Sequence, residues 1–353
     1  MEAFVYDGLP ARVLFGTGTL VQLGSEVERL GCSRALVLTT PNQCAQGLNI
    51  AAQLGPLAAG TYAGATMHTP VAITDEAMRA VENEAADCIV SAGGGSTIGL
   101  GKAIALRTDL PQIAIPTTYA GSEMTPVIGQ TENGVKTTRR TRKVLPETVM
   151  YDVSLTLSLP PALAATSGMN AIAHAVEALY AEDRNPIISL MAEEAIRALA
   201  GALPRIASDP GDENARPDAL YGAWLAGTAL GAVGMSLHHK LCHVLGGTFN
   251  LPHADTHTIV LPHAVAFNAP AAPEAMVRIA GALGSEEAAP GLAALARSLG
   301  APTALRDIGM PEDGIEEAAD IATRKPYANP RAVERNAIRD LIKRAWVGEA
   351  PTA

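Results

Sequence analysis

Apolar and polar positions along the first 160 residues follow the pattern of short buried strands separated by amphipathic helices. Strands are predicted at residues 12–15, 35–39, 87–92, 112–116 and 148–151. Helices are predicted between them at residues 19–30, 74–86 and 96–107. The central strands are continuous apolar runs, which indicates a parallel sheet covered on both faces by helices.

The pattern of apolar and polar residues changes after residue 116. Residues 127–131 and 135–138 flank Asn133-Gly134, a strong short-range hairpin signal. From Pro160 onward helical periodicity dominates, as in the apolar stripe of Met169, Ile172, Val176 and Leu179. We therefore predict an α/β domain over residues 1–159 with a mostly parallel sheet, followed by an all-α domain over residues 160–353, with a cleft between them.

The segment Ala219–Leu237 contains 19 residues without a charge, about the length of a membrane span. It is dominated by Ala and Gly and runs directly into His238-His239-Lys240, so we interpret it as a helix buried against other helices. The N-terminus has no basic region of the kind that begins a signal peptide.

Composition narrows the class of protein. A chain of 353 residues predicts about two domains, and 48% hydrophobic with 18% charged residues indicates an ordered globular protein. The formal net charge of -10 disfavours nucleic acids and anionic membranes as partners, because both require clustered cations. Four cysteines without a CxxC pair fit a reducing cytoplasm.

A glycine-rich turn, Gly93-Gly94-Gly95-Ser96, follows the strand at 87–92 and precedes a helix. Three residues without Cβ let the backbone approach a ligand, and the N–H groups at a helix start suit a pyrophosphate, with Ser96 as the cap. We predict that this turn binds phosphate, since an ordinary turn rarely needs three glycines. Gly16 and Gly18 lack the third glycine of GxGxxG and are interpreted as a structural turn.

Two further loops leave the carboxyl ends of predicted strands, where open α/β sheets bind ligands. In the loop at 117–123, the hydroxyls of Thr117, Thr118 and Ser122 can contact a ribose or pyrophosphate, although a plain polar turn explains them equally well. In the loop at 39–42, Thr39 and Asn42 can border the adenosine ribose. The strand end carries no Asp or Glu, which leaves the choice between NADH and NADPH open.

Histidines cluster by spacing in the helical half. His239 and His243 lie four residues apart on one helix face, as do Asn170 and His174, and His253 follows ten residues after His243. His238 adjoins the first pair. Isolated histidines are usually surface or core residues, but two helix faces that both contribute imidazoles indicate a site for one metal or one substrate.

In this order, the motifs resemble the iron-containing alcohol dehydrogenase superfamily: GGGS at 93–96, PTT…GSE at 116–123, GMNAIAH at 168–174 and H-x3-H-x9-H at 239–253. The resemblance covers residues 15–331. It implies a dinucleotide-binding α/β domain, a helical domain and a site in the cleft between them. The variants GGGSTIGLGKAIAL, PTTYAGSEMT and SLHHKLCHVLGG are similar to the maleylacetate reductases, a branch that acts on ring-cleavage products of aromatic compounds.

Three departures from the superfamily pattern affect the expected chemistry. Asn170 stands where metal-binding members carry Asp, while the other ligand positions match His174, His239 and His253. The amide removes the only negative charge from that set, which weakens metal binding without abolishing it, and we predict a site without metal. In addition, Gly99 stands where many members of the superfamily carry Asp. The loop at 117–123 is one residue shorter than the loop usual in the superfamily.

The resemblance implies that NADH, or alternatively NADPH, reduces the conjugated carbon–carbon double bond of maleylacetate to 3-oxoadipate. Charge then develops on the ketone oxygen as an enolate, and the neighbouring carbon must be protonated. We predict His243 and His253 as the hydrogen-bond donor and the acid, with His174 and His239 shaping the site.

The resemblance also suggests a homodimer and contacts to the dicarboxylate substrate. Candidate substrate contacts are Asn170, Lys240, Arg324 and Tyr327. Lys143 matches a family lysine near the cofactor.

Three alternatives remain open. A metal-dependent alcohol or glycerol dehydrogenase is disfavoured by Asn170. A lyase like dehydroquinate synthase shares the fold but fits the GMNA…H and PTTYAGSE variants badly. A non-catalytic nucleotide-binding protein would not need the clustered histidines.

Overall fold

The computed structural model describes residues 4–6, 8–9, 12–132 and 135–353. These residues form two compact units. One unit spans Leu9–Leu159, and the other combines Pro160–Ala353 with the described residues among 1–8.

A six-stranded parallel sheet forms the centre of the first unit. The strands along the chain are β1 Arg12–Gly16, β2 Ala35–Leu38, β3 Ala58–Tyr62, β4 Cys88–Gly93, β5 Gln112–Pro116, β6 Val127–Glu132, β7 Val135–Arg140 and β8 Thr148–Asp152. The sheet has the order β1-β8-β5-β4-β2-β3, and each neighbouring pair is parallel. Every residue of β2, β4, β5 and β8 is buried, which explains why apolar residues predominate in these strands. The predicted parallel sheet is confirmed.

The sequence analysis did not predict strand β3. Its sequence, AAGTY, is short of the β-branched and aromatic residues that mark strands, and most of it is only half-buried. It lies at the edge of the sheet beside β2, so one long side of the strand has no partner to impose an apolar pattern.

The predicted hairpin is an antiparallel pair of β6 and β7, separate from the main sheet. Its turn, Asn133-Gly134, lies outside the described residues. The helices of this unit are α1 Leu23–Arg29, α2 Cys44–Leu54, α3 Val71–Asn83 and α4 Gly95–Thr108. Helix α4 begins at Gly95 with Gly94 in the capping position, so the prediction that Ser96 caps it is wrong: Ser96 lies within the first turn.

The second unit is helical, with no strand among its described residues. Its helices are α5 Pro161–Tyr180, α6 Pro186–Ser208, α7 Ala215–Ala232, α8 Leu237–Phe249, α9 His253–Asn268, α10 Pro273–Leu283, α11 Ala288–Ser298, α12 Gly314–Thr323 and α13 Arg335–Val347. Helix α5 is central, since every residue from Ala164 to Tyr180 is buried. A Cβ at Gly222 would lie 2.7 Å from Leu199 Cγ, so glycine permits the close packing of α6 and α7.

The uncharged segment Ala219–Leu237 is divided between two helices. Within the part of the chain that the structure describes, no single helix is long and apolar enough to cross a membrane. Helices α7 and α8 pass that test only as a pair, which is bent by 95° at the break between them.

Candidate active site

The glycine turn lies at the carboxyl end of β4 and opens α4. The Gly93 carbonyl accepts a hydrogen bond from the Thr117 N–H at 3.1 Å, which joins the turn to the loop after β5. A Cβ at Gly93 would lie 2.4 Å from Thr97 Oγ1, and a Cβ at Gly94 would lie 3.0 Å from Thr118 Oγ1. For Gly95, the nearest described atom would be Ala120 Cβ at 3.9 Å. Packing within the protein therefore explains the first two glycines, whereas a Cβ at the third would make only an ordinary van der Waals contact.

Gln43, which the sequence analysis missed, connects two of the predicted cofactor loops, those after β2 and β5. Its side-chain oxygen accepts a hydrogen bond from Thr40 Oγ1 at 3.1 Å, and its amide nitrogen donates to Thr117 Oγ1 at 3.1 Å. Thr39 is buried against Gly47, whereas Asn42 is exposed. The loops after β2, β4 and β5 thus meet at one edge of the sheet, where a dinucleotide is expected to bind.

A buried lysine, also missed, attaches the third loop to α4. Lys102 is fully buried and donates hydrogen bonds to the carbonyls of Ser122 at 2.5 Å, Thr125 at 2.7 Å and Val127 at 2.9 Å. Burial lowers the pKa of Lys102 to about 7, and the nearby Glu123 opposes that shift. The three carbonyls match the three N–H donors of an ammonium group.

Glu123 is itself fully buried next to this lysine. Its Oε1 accepts a hydrogen bond from the Tyr151 hydroxyl at 2.9 Å, and burial raises the pKa of the Glu123 carboxyl. The loop that carries Ser122 is therefore held from two sides, by α4 and by β8.

Lys143 is placed away from the glycine turn. Its exposed side chain lies 3.3 Å from Asp109 Oδ1, and Asp109 is the residue that follows the last turn of α4. The glycine turn is at the other end of this helix, about 20 Å away at 1.5 Å per residue. The structure does not bring Lys143 together with the other predicted cofactor residues.

Six histidines meet within the second unit. They come from α5, α8 and α9: His174, His238, His239, His243, His253 and His257. The ring centroids of His239 and His257 are 5.0 Å apart, those of His253 and His257 are 4.2 Å apart, and those of His239 and His243 are 6.4 Å apart. The predicted cluster thus forms, with His257 as a member that the spacing analysis did not include.

A chain of hydrogen bonds runs through the predicted motif residues. Asn170 Nδ2 lies 3.3 Å from His174 Nε2, and His174 Nδ1 lies 2.8 Å from His239 Nε2. His239 Nδ1 in turn lies 2.6 Å from Glu177 Oε2. His174 and His239 are buried, while His243 is exposed and His253 is half-buried.

Glu177, which the sequence analysis missed, anchors this chain. The side chain is fully buried and also accepts hydrogen bonds from the backbone N–H groups of Ser236 at 3.1 Å and His238 at 2.8 Å. These N–H groups belong to the start of α8, where a helix favours a negative charge. The available signal was its position, one turn after His174 in an otherwise apolar stretch.

A second set of donors lies deeper in the cluster. His238, Cys242 and His257 are fully or almost fully buried, and one ligand atom from each lies within 4.8 Å of the others. Burial lowers the pKa of both imidazoles well below the ordinary value, which keeps them neutral, and it raises the pKa of the Cys242 thiol. Two neutral imidazoles and a cysteine that ligates as the thiolate suit a divalent transition ion, whose binding would displace the thiol proton.

The predicted substrate contacts are only partly brought together. Tyr327 is half-buried, and both burial and the nearby Glu177 charge raise the pKa of its hydroxyl. It lines a cavity of about 660 Å³ together with Tyr180 and Ser236. Lys240 is half-buried on α8, whereas Arg324 is exposed directly after α12.

Known proteins resemble this chain over its full length. The maleylacetate reductase of Rhizobium sp. (strain MTP-10005) is 56% identical, with 99% of this chain and 100% of the relative covered. A solved structure of a putative alcohol dehydrogenase from Ralstonia eutropha JMP134 has a TM-score of 0.98 and 59% identity, covering 99% and 100% of the two chains. The maleylacetate reductase structure from Agrobacterium tumefaciens has a TM-score of 0.96 and 56% identity, with the same coverage.

Two family descriptions match: "Iron-containing alcohol dehydrogenase" over residues 10–153 and "Fe-containing alcohol dehydrogenase family, C-terminal" over residues 164–346. The prediction of a site without metal is therefore wrong, because the family is iron-containing and His238, Cys242 and His257 offer a buried donor set. That prediction weighed only the amide of Asn170 on α5 and overlooked the thiol of Cys242 on α8. The predicted resemblance itself is confirmed, and the chain belongs to the iron-containing alcohol dehydrogenase family.

Proposed function

We propose that this chain is a maleylacetate reductase, an oxidoreductase that reduces the conjugated carbon–carbon double bond of maleylacetate to 3-oxoadipate during the degradation of aromatic compounds. The observation that carries the proposal is the 56% identity to the Rhizobium maleylacetate reductase over 99% of this chain. The buried histidine cluster supports it, because the reaction needs both a donor for an oxyanion and an acid.

The cofactor is NADH, with NADPH as the alternative, bound at the carboxyl edge of the sheet in the first unit. The pyrophosphate lies on the turn Gly93-Gly94-Gly95-Ser96 at the start of α4, where backbone N–H groups face an anion. Thr117, Thr118 and Ser122 complete this site, and Thr39 and Asn42 border the adenosine ribose. This assignment is supported by Gly95, where no close contact within the protein would exclude a Cβ.

The reaction transfers a hydride from the nicotinamide to the alkene carbon β to the ketone. The alkene electron pair moves to form an enolate on the ketone oxygen, and a proton then adds to the neighbouring carbon. His243 and His253 donate to the enolate oxygen and supply that proton. Their greater exposure compared with His174 and His239 supports this division of roles, since a substrate can reach them.

The remaining residues position these groups. His174 and His239 are held in one orientation by the hydrogen-bond chain from Asn170 to Glu177. Lys240 and Tyr327 are the residues that face the substrate carboxylates, with Arg324 at the periphery. His238, Cys242 and His257 would hold the family's metal, which supplies Lewis acidity when it is bound.

A metal-dependent alcohol dehydrogenase is the second candidate. The buried His-Cys-His donor set favours it, and the solved relative from Ralstonia eutropha is described as a putative alcohol dehydrogenase. Its chemistry differs in one respect: the hydride is exchanged with a carbonyl carbon rather than with an alkene.

A steady-state assay separates the two candidates. Maleylacetate is offered with NADH and with NADPH, and 3-oxoadipate is identified as the product. In parallel, NAD⁺ is offered with simple primary alcohols and glycerol. We expect oxidation of the reduced cofactor with maleylacetate and little reduction of NAD⁺ by the alcohols. The reverse result would assign the chain to alcohol dehydrogenation.

We further propose a homodimer that works in the cytoplasm. The four cysteines are all free, which is compatible with a reducing compartment, and three of them are buried. Light scattering coupled to size-exclusion chromatography measures the oligomeric state directly, and a mass of one chain would contradict the dimer.

A further inference from the structure

The two nicotinamide cofactors differ only at the adenosine ribose, where NADH carries a 2′-hydroxyl and NADPH a 2′-phosphate. A hydroxyl can donate a hydrogen bond, whereas an ionised phosphate only accepts and carries negative charge. We propose that this chain selects NADH through Thr40, whose side-chain oxygen accepts a hydrogen bond from the 2′-hydroxyl, and that Gln43 positions Thr40 for this role. The inference rests on the cofactor site of the proposed function and adds the determinant of cofactor preference.

Thr40 is the accessible hydroxyl at the carboxyl end of β2. Thr39, just before it, is still part of the sheet: its N–H donates to the Tyr62 carbonyl at 3.0 Å, and its carbonyl accepts from the Ala65 N–H at 3.1 Å. Thr39 is also buried, whereas Thr40 is only half-buried. A ligand at this edge of the sheet can therefore reach Thr40 and not the side chain of Thr39.

The amide of Gln43 determines where the proton of the Thr40 hydroxyl lies. Gln43 Nε2 donates to Gln46 Oε1 at 3.1 Å and to Thr117 Oγ1 at 3.1 Å, which uses both of its N–H bonds. Gln43 Oε1 is then left as an acceptor, and Thr40 Oγ1 donates to it at 3.1 Å. Because a hydroxyl has one proton, the Thr40 oxygen can only accept from a ligand.

The same amide lies against the glycine turn that is proposed to bind the pyrophosphate. A Cβ at Gly93 would lie 3.0 Å from Gln43 Oε1, and the strands β2 and β4 that precede the two loops are neighbours in the sheet. The ribose of a dinucleotide on this turn thus lies within reach of the loop after β2. Dinucleotide-binding folds usually provide Asp or Glu as the acceptor for the 2′-hydroxyl, and here the neutral oxygen of Thr40 takes that place.

The surrounding segments provide no cation for a 2′-phosphate. Residues 35–78, 93–101 and 117–123, which include the three cofactor loops, contain no Lys or Arg. Lys143 lies at the other end of α4 beside Asp109. Folds that bind NADPH usually place an Arg near the 2′-phosphate. In this chain the phosphate would instead meet the acceptor oxygen of Thr40, with no proton to share and no opposite charge.

Calorimetric titration of the full-length protein with NADH and with NADPH tests the preference in the absence of maleylacetate. The readout is the ratio of the Kd for NADPH to the Kd for NADH. We expect NADH to bind about threefold to tenfold more tightly, the effect of one neutral hydrogen bond. Thr40→Val removes the acceptor and keeps the shape of the side chain, so it should weaken NADH binding by a similar factor without weakening NADPH binding.

Two further variants separate positioning from mere structural support. Gln43→Leu releases the Thr40 hydroxyl, which can then donate to a phosphate, so the affinity ratio should fall even if both cofactors bind less tightly. Gln53→Leu makes the same change at an exposed position of α2 and should keep the wild-type ratio. Thr40→Arg adds a cation and should reverse the preference, a gain of NADPH binding that a misfolded protein cannot produce.

The inference is overturned if the wild type does not prefer NADH, if either Thr40→Val or Gln43→Leu keeps the wild-type ratio, or if Thr40→Arg gains no affinity for NADPH. Failure of the proposed function gives a different result, in which NADH binds with the expected preference but maleylacetate is not reduced. A wild type that binds neither dinucleotide contradicts the cofactor site and this inference together.

Discussion

Glu177 Oε2 lies 2.6 Å from Nδ1 of His239, and this contact determines where the protons of the motif residues lie. Because a carboxylate only accepts hydrogen bonds, His239 Nδ1 carries the proton and His239 Nε2 accepts from His174 Nδ1. His174 Nε2 then needs a donor, and the Asn170 amide nitrogen provides one at 3.3 Å. An aspartate at position 170 has no N–H to donate, so the amide is the partner that this chain of hydrogen bonds requires.

Replacing Glu177 by Gln should destabilise the second unit. The Ser236 N–H donates to Oε2 and the His238 N–H to Oε1, so an NH₂ in either position would take the acceptor from at least one buried donor. We expect the free energy of unfolding to fall by about 1–3 kcal/mol, measured by urea denaturation. Glu182→Gln, at an exposed position, is the matched control. Equal stability of Glu177→Gln and wild type would show that the carboxylate is not the anchor of the chain.

His243→Ala and His253→Ala test the proposed catalytic roles. If these imidazoles act on the enolate or supply the proton, kcat should fall by about 10²–10⁴-fold, the range typical of acid–base and oxyanion groups. The Kd of NADH, measured by calorimetry, should barely change, since the phosphates are assigned to α4. If both variants retain the wild-type kcat, the cluster has no catalytic role.

Gly95→Ala is the cleanest test of the phosphate site. The protein leaves space for a Cβ there, so the free energy of unfolding should change by less than about 1 kcal/mol. A bound pyrophosphate would collide with that Cβ, and we expect the KM for NADH to rise by about tenfold or more, equivalent to about 1.4 kcal/mol. The KM for maleylacetate should change much less.

Gly93→Ala is the comparison variant for Gly95→Ala. Its Cβ would meet Thr97 Oγ1 at 2.4 Å within the protein, so we expect a loss of about 1–3 kcal/mol in stability whether or not cofactor is present. If Gly95→Ala binds NADH as tightly as wild type, the pyrophosphate lies elsewhere.

Lys102 should make stability depend on pH in an unusual direction. In the folded protein the pKa of Lys102 is about 7, whereas an unfolded lysine titrates near 10.4. Between these values the unfolded chain binds more protons, so the contribution of Lys102 to the free energy of unfolding rises with pH, by at most about 1.4 kcal/mol per pH unit. It is smallest below pH 7.

Lys102→Met should remove this rise. Urea denaturation at several values between pH 7 and pH 10 measures the slope in wild type and variant. Lys143→Met removes the same charge at an exposed position and is the control. Identical slopes in wild type and Lys102→Met would contradict the prediction.

Features that depend on local pattern were predicted well from the sequence. Strands β4 and β5 are mostly apolar, and the turn between β4 and α4 is marked by its glycines. The i,i+4 spacing likewise predicted that His239 and His243 lie on one helix. Each of these features depends on neighbours a few residues apart.

The buried charges could not be predicted in this way. Charged residues are expected at the surface unless they are paired, and the partners that keep Glu177 and Lys102 buried are distant in sequence. Glu177 accepts from backbone groups about 60 positions away, and Lys102 donates to carbonyls 20 to 25 positions away. Cys242 and His257 differ, because each lies four residues after a histidine that was considered, and the same spacing rule would have found them.

Because Lys102 is enclosed, the chemical reactivity of its amine reports on the opening of the loop that surrounds it. No acylating reagent can reach a nitrogen that is surrounded by the carbonyls of Ser122, Thr125 and Val127 unless this segment first separates from α4. The rate at which Lys102 is labelled, relative to the exposed Lys143, therefore measures how frequently the loop opens. A dinucleotide that bridges the loop and the glycine turn would slow that labelling and reveal its own binding, even where no turnover takes place.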